Sequence, residues 1–281
     1  MPPSILYKYG TPRGVDILRN LRLKITPPNQ FNDPFELAPR MEEQLTREKA
    51  FEALTEPRIL TKTYQDLIKT NQFVGTFEQF LDAIRDHSEL LAGDLIASYP
   101  ESAADFRRTH INTVSAEFGL LCLSAVPNDI LMWSHYTRSH YGLVIGLKTS
   151  HEFFANPPLL DVVYNQERVL MGQSVLREDP KRAEQINALI RRKSPHWSYE
   201  QEWRQLYFLQ LCTAETDQND GSITYFKPFS GDLVSEVILG CRLDSNLEKE
   251  IRDLLTRDHF SGVKLSKYQM HDSEFSLVAA S

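Results

Sequence analysis

Apolar and polar positions follow two rhythms along this chain. From Gly119 onward the apolar residues come in short β-branched or aromatic runs: GLLCLS, GLVIGL, LLDVVY, QLYFLQL, SITYF, SEVILG and VKLSKYQM. Each is closed by turn residues, which predicts strands. Between residues 42 and 117 the spacing is helical instead. Thr76 and Gln79 form a capping-box pair around Phe77, Phe80, Leu81 and Ile84, and short helices also fit 46–54 and 103–118. Two more helices interrupt the strands. One, at 180–193, carries Ala183, Ile186, Leu189 and Ile190; the other is capped by Ser245 with Glu248 and carries Leu247, Ile251, Leu254 and Leu255. At the start, ILYKY is β-prone, 15–23 fits a pair of helical turns, and TPPNQFNDPFELAP is rich in turn residues. Strands and helices do not alternate regularly, so the pattern predicts an α+β fold with a mixed sheet. The expected organisation is one domain over 1–281, with 42–117 as a helical insertion lobe.

Composition narrows the function classes. The 281 residues carry 31 Lys+Arg against 38 Asp+Glu, a net charge of −7, which argues against a duplex-DNA binder relying on bulk positive charge. Three scattered cysteines, with no CxxC, fit reduced thiols rather than a disulfide framework or a zinc site. No apolar run approaches the ~20 residues of a spanning helix, and the start lacks a leader pattern, so a cytoplasmic location is expected. Two stretches carry local positive charge: Arg13, Arg19, Arg22 and Lys24, and Arg177, Lys181, Arg182, Arg191, Arg192 and Lys193. Each is either a phosphate-facing patch or the solvated face of a helix.

The familiar phosphate-loop, dinucleotide, zincin and nucleophile-elbow motifs are absent. Chemistry-bearing residues concentrate in three blocks instead. In Phe31-Asn32-Asp33-Pro34-Phe35-Glu36, the polar residues either build a structural turn or line a site. Leu131-Met132-Trp133-Ser134-His135-Tyr136 is followed closely by His140 and Tyr141. A five-residue separation sets His135 and His140 about 140° apart on a helix, a poor metal pair. One histidine beside aromatic rings suits a ribose hydroxyl and a stacked flat ring, or simply core packing. The third block is Trp197-Ser198-Tyr199-Glu200-Gln201-Glu202-Trp203-Arg204. As a strand it would put Glu200, Glu202 and Arg204 on one face, with the carboxylates about 7 Å apart. Such a pair raises one pKa or holds a cation, and suits stabilising positive charge and taking a proton. A surface Glu–Arg ladder on an edge strand is the plainer reading.

LYKY, FNDPFE, LCLS, MWSHYTRSHYG and WSYEQEWR, in this order from Leu6 to Arg204, resemble the bacterial domain-of-unknown-function family numbered 2971. The family's architecture in turn looks similar to that of ADP-ribosyltransferases, compact α+β folds with a split mixed sheet. That resemblance implies NAD as the substrate and a macromolecular acceptor, protein or nucleic acid, as in toxins and phage-defence effectors. Tyr7-Lys8-Tyr9 would be the first site element, and Leu123-Ser124 or His135-Tyr136 the second. Glu200-Gln201-Glu202 would be the third. It further implies nicotinamide stacked on Tyr136 or Trp133, and a ribose hydroxyl on His135 or His140. Pyrophosphate would lie on Lys8 or Arg204, and Asn32 and Asp33 would stand at the site. Glu202 would stabilise the oxocarbenium-like centre and Glu200 would orient or deprotonate the acceptor, with no metal required. Two readings from other classes stand beside it. One is a metal-dependent nuclease or phosphodiesterase of abortive-infection type using Asp33, Glu200, Glu202 and Arg204; the other is a non-catalytic nucleotide-binding module.

Overall fold

In the computed structural model, the strand-like runs after residue 118 and the N-terminal run ILYKY join into one mixed sheet. The structure describes residues 1–41, 46–97, 102–171 and 180–280. The chain begins with β1 (Ile5–Gly10), α1 (Val15–Asn20), β2 (Arg22–Ile25) and β3 (Arg40–Met41). Helices α2 (Arg47–Thr55), α3 (Pro57–Lys69), α4 (Phe77–Asp86), α5 (Ser88–Ala97) and α6 (Ala103–Glu117) follow. Next come β4 (Phe118–Ser124), α7 (Ile130–Tyr136), β5 (Leu143–Lys148), β6 (Leu160–Asp161), β7 (Val163–Tyr164) and β8 (Leu170–Met171). Then α8 (Pro180–Arg191), β9 (Arg192–Lys193), β10 (Glu202–Phe208), β11 (Thr213–Thr216) and β12 (Ile223–Pro228) follow. The chain closes with β13 (Val234–Leu239), α9 (Ser245–Leu254), β14 (Lys264–Met270) and β15 (Leu277–Ala279).

The chain divides into two compact units. One comprises Met1–Leu37, Ile111–Glu167 and Ile190–Ser281, and the other Ala38–His110 with Arg168–Leu189. In the first, eight strands run in the order β15-β14-β13-β5-β1-β4-β10-β6, antiparallel except for the parallel pair β13–β14. The central strand β5 is buried on both faces, which is why LVIGL reads as an unbroken apolar run. Leu143, Ile145 and Leu147 join a core with Leu18, Ile251 and Phe260. Val144 points the other way, into a cluster with Tyr9, Trp133 and Ile238. Each such buried aliphatic side chain contributes about 1.5–3 kcal/mol.

One joint of this sheet is open. β1 and β4 share a single register pair, Tyr7 with Ser124, whereas β1 and β5 share six. Further along β4, Thr26 rather than β1 pairs with Leu120 through two main-chain hydrogen bonds of 2.9 Å. Lys8 Nζ spans the gap and donates to the Cys122 carbonyl at 3.1 Å.

The other unit contains α2 to α5, with β3 and β8 paired in parallel. Its aromatic centre joins Tyr64 to Phe77 and Phe80, with ring centroids 5.2 and 5.7 Å apart. The capping box of Thr76 and Gln79 is formed at α4.

Four sequence expectations change. The 15–23 helical segment stops at Asn20, where left-handed Leu21 (φ 49°) turns the chain into β2. Phe118 begins β4 instead of ending α6, because its register with Phe208 draws it into the sheet. The cap of α9 is Asp244, whose carboxylate accepts from Asn246 and Leu247; Ser245 is the first helical residue. Helices α3 and α5 also lie within 42–117, with Pro57 at the first turn of α3 and the Glu56 side chain capping it.

Candidate active site

The third sequence block does not form a continuous strand. Residues Pro195–Glu200 make a 3₁₀ turn, opened by proline, and left-handed Gln201 (φ 43°) reverses the chain into β10. Ser124 fastens this turn by donating from Oγ to the Glu200 carbonyl at 2.6 Å, and the Ala125 amide donates to the Gln201 carbonyl at 3.0 Å. Glu202 and Arg204 then alternate along β10 onto one face. The turn brings Glu200 to the same place by a different route from the strand geometry.

Lys193, from β9, stands among the carboxylates. Its ammonium contacts Glu200 Oε2 at 2.5 Å, Glu36 Oε1 at 2.8 Å and Glu202 Oε2 at 2.9 Å. Arg204 is fully buried and makes four kinds of contact: to Glu202 Oε1 from Nε, to Glu202 Oε2 and Glu36 Oε2 from Nη2, and to the Ile190 carbonyl from Nη1. Three carboxylates against two cations leave one negative charge in excess. Aromatic rings stand near both cations: Lys193 Nζ lies 5.2 Å from the Trp197 ring centre, and the Arg204 guanidinium carbon 5.9 Å from that of Phe31.

The two adjacent glutamates titrate in opposite directions. Burial pushes the Glu200 carboxyl above its ordinary value, with Lys193 only partly opposing and Glu202 adding to the rise. Glu202 is buried too, but the Arg204 guanidinium and Lys193 ammonium overcome that burial and hold it well below the usual range. Burial also lowers Lys193, yet the three carboxylates raise it and keep it charged. Glu200 Oε1 additionally accepts from the Tyr136 hydroxyl at 2.7 Å, and that hydroxyl accepts from Asn32 Nδ2 at 3.4 Å.

Glu200 and Glu202 lie on the wall of a cavity of ≈ 370 Å³, a size in the range of small-molecule sites. It sits where β1 and β4 part. Tyr7, Lys8 and Tyr9 line it from β1, and Ser124 lines it from β4. Asn32, His135 and Tyr136 complete the set of sequence candidates found on its wall. Lys8 differs from Lys193 in making no ion pair; burial lowers its pKa, and its hydrogen bond goes to a carbonyl. Tyr7 and Tyr9 direct their hydroxyls to Glu236 Oε1 at 3.0 Å and to the Val126 carbonyl at 2.8 Å.

Four candidates stand elsewhere. Trp133 is fully buried, with its indole N–H on the Pro127 carbonyl at 2.7 Å, which removes its face from any ligand. His140 stacks on Trp133 with centroids 6.1 Å apart; it is held there by three successive left-handed residues, Arg138, Ser139 and His140. Asp33 is a turn former: its carboxylate accepts from the Phe35 amide at 2.9 Å, and its carbonyl from the Glu36 amide at 3.2 Å. Arg204 is committed to Glu36 and Glu202, so it supports the wall from behind instead of meeting a phosphate.

In the two basic stretches, three arginines are paired with acids. Arg19 bridges Asp16 and Glu250, Arg22 meets Glu215, and Arg191 meets Asp161. Arg177 lies outside the described residues. Among those described, no group of three or more His, Cys, Asp or Glu is arranged to hold a metal ion. Lys193 fills the centre of the carboxylate cluster. No helix among them is long and apolar enough to cross a membrane.

Two residues of the cluster carry weak sequence signals. Glu36 ends the FNDPFE turn, and Lys193 ends a basic run in which burial is the last expectation. No curated protein and no solved structure matches this chain. Residues 132–205, which carry Tyr136, Lys193, Glu200, Glu202 and Arg204, match the family described as a protein of unknown function, DUF2971.

Proposed function

We propose that the chain is an ADP-ribosyltransferase-like enzyme that takes NAD as substrate, with Glu200 as the reacting carboxylate. The observation that carries this reading is the buried cluster of three carboxylates on two cations, with Glu200 on the cavity wall. Cleavage of the nicotinamide–ribose bond leaves positive charge on the sugar while nicotinamide departs with the bonding pair. A fixed negative charge beside that centre stabilises the transition state more than the ground state. Glu202 is less suited to this task, since both its oxygens are already bonded to cations. The roles implied by the resemblance therefore exchange: Glu200 faces the developing charge, and Glu202 positions Lys193 and Arg204. Once the sugar–acceptor bond forms, the acceptor's proton passes to Glu200, whose raised pKa makes it the stronger base of the two glutamates.

The rest of the wall fits a nucleotide-like ligand. Tyr136, His135 and Phe31 offer rings for stacking, and Asn32 and Lys8 offer hydrogen-bond donors. A metal-dependent nuclease gains no support from this geometry, because the Lys193 ammonium already stands between Glu200 and Glu202, where such a mechanism would need the ion.

Calorimetric titration with NAD tests the binding half of the proposal. Tyr136→Ala removes a ring and a Glu200 partner, and is expected to weaken NAD binding by roughly tenfold or more, equivalent to about 1.4 kcal/mol. Equal affinity in the two proteins would remove Tyr136 from the site, and no binding by the wild type would sink the proposal.

A further inference from the structure

The cluster contains a carboxylate that the proposed chemistry does not use. Glu36 comes from the FNDPFE turn, is buried, and spends one oxygen on Lys193 at 2.8 Å and the other on Arg204 at 2.5 Å. For holding two cations already bonded to Glu202 it is surplus, since Glu202 alone contacts both. Its presence is what turns a balanced cluster into one with a net negative charge.

We propose that Glu36 is a positioning residue that sets the charge of Glu200 by competing with it for the Lys193 ammonium. This rests on the reading of Glu200 as the reacting carboxylate. All three carboxylates draw on one –NH₃⁺, which has three protons to give. Carboxylates bonded to a common ammonium are also close enough to repel one another directly. Both effects make Glu200 harder to ionise while Glu36 is present. The groups facing Glu200 are Tyr136 from α7, Tyr164 from β7, Tyr199 from its own turn, Lys193 from β9 and Glu202 from β10. Tyr136, Tyr164 and Tyr199 are all raised in pKa, so none ionises where Glu200 titrates.

The consequence has a sign that simple damage does not share. Glu36→Gln leaves two carboxylates for two cations, so Glu200 becomes easier to ionise and its titration midpoint falls. Loss of a merely structural contact would loosen the cluster and lower activity at every pH.

Carbon-13 NMR of the side-chain carboxyls of glutamate-labelled protein reads this directly, with the Glu200 signal assigned by its loss in Glu200→Gln. The Glu36→Gln midpoint is expected to lie on the order of one pH unit below wild type. Glu36→Asp, which keeps the charge, should return most of the way. Lys193→Gln withdraws the shared ammonium and should move the midpoint upward, so the idea stays open to test if Glu36→Gln does not fold. An unchanged or raised midpoint in Glu36→Gln, or an unchanged or lowered one in Lys193→Gln, overturns the proposal. The titration needs no turnover: a shifted midpoint in protein that leaves NAD intact supports the role of Glu36 and counts only against the reaction.

Discussion

At the scale of single residues, Lys193 organises the site. An ammonium buried away from water is costly unless its protons are all bonded, and here three carboxylates bond them. The pH dependence of stability follows from the opposite shifts of the two glutamates. Glu202 is held below its ordinary value of 4.5, so its stabilising contribution is fully present above that pH and is lost as pH falls through the folded value. Glu200 is raised, so its ionisation costs stability as pH rises through its folded value. We predict that Glu202→Gln lowers stability at pH 7 by roughly 3–5 kcal/mol, the typical effect of breaking a buried ion pair. It should also flatten the loss of stability between about pH 5 and pH 2. Denaturant titrations across that range measure both effects; a slope equal to wild type would show that Glu202 is not the acid held low by Arg204 and Lys193. Glu200, Glu202 and Arg204 were legible in the sequence because they alternate within five positions. Glu36 was legible only as one polar residue of a turn that could line a site, and Lys193 was not, since only the fold brings residues 36 and 193 beside them, and a basic run normally faces water.

At the scale of elements, the connection between α7 and β5 decides which histidine meets the cavity. Arg138, Ser139 and His140 are all left-handed, at a cost near 1–2 kcal/mol each for residues with a Cβ. Thr137 offsets part of this cost, its Oγ1 donating to the Trp133 carbonyl and accepting from the His140 amide at 3.1 Å. Gly142 completes the turn where only hydrogen fits, because a Cβ there would lie 2.0 Å from the Gly10 carbonyl oxygen. Gly142→Ala is therefore expected to cost about 1–3 kcal/mol, typical of overpacking, and to lower Tm by several degrees. A thermal melt indistinguishable from wild type would show that β1 and β5 yield freely at this point. The hydrophobic rhythm exposed β5, β10 and α4 in advance, since long regular runs dominate their surroundings. The left-handed Gln201 and the handover of Phe118 to β4 were hidden, because both depend on partners distant in sequence.

At the scale of the whole molecule, the net charge of −7 says little about function, because it averages over locally paired groups such as Arg19 with Asp16 and Glu250, Arg22 with Glu215 and Arg191 with Asp161. The charge that counts is the single excess in the Lys193 cluster, beside the opening between β1 and β4. The mixed α+β sheet could be read from the sequence, but that opening could not. It exists because Thr26 takes a place on β4 that β1 would otherwise fill. The most direct test of the account is release of nicotinamide from NAD by purified protein, followed by chromatography, in wild type and Glu200→Gln. The account predicts steady release by the wild type that rises with pH through an acid limb above the ordinary glutamate range. It predicts a loss of at least a hundredfold in Glu200→Gln, in line with removal of a charge-stabilising group. Equal release by the two proteins, or none by a folded wild type supplied with acceptors from a cell lysate, would contradict it.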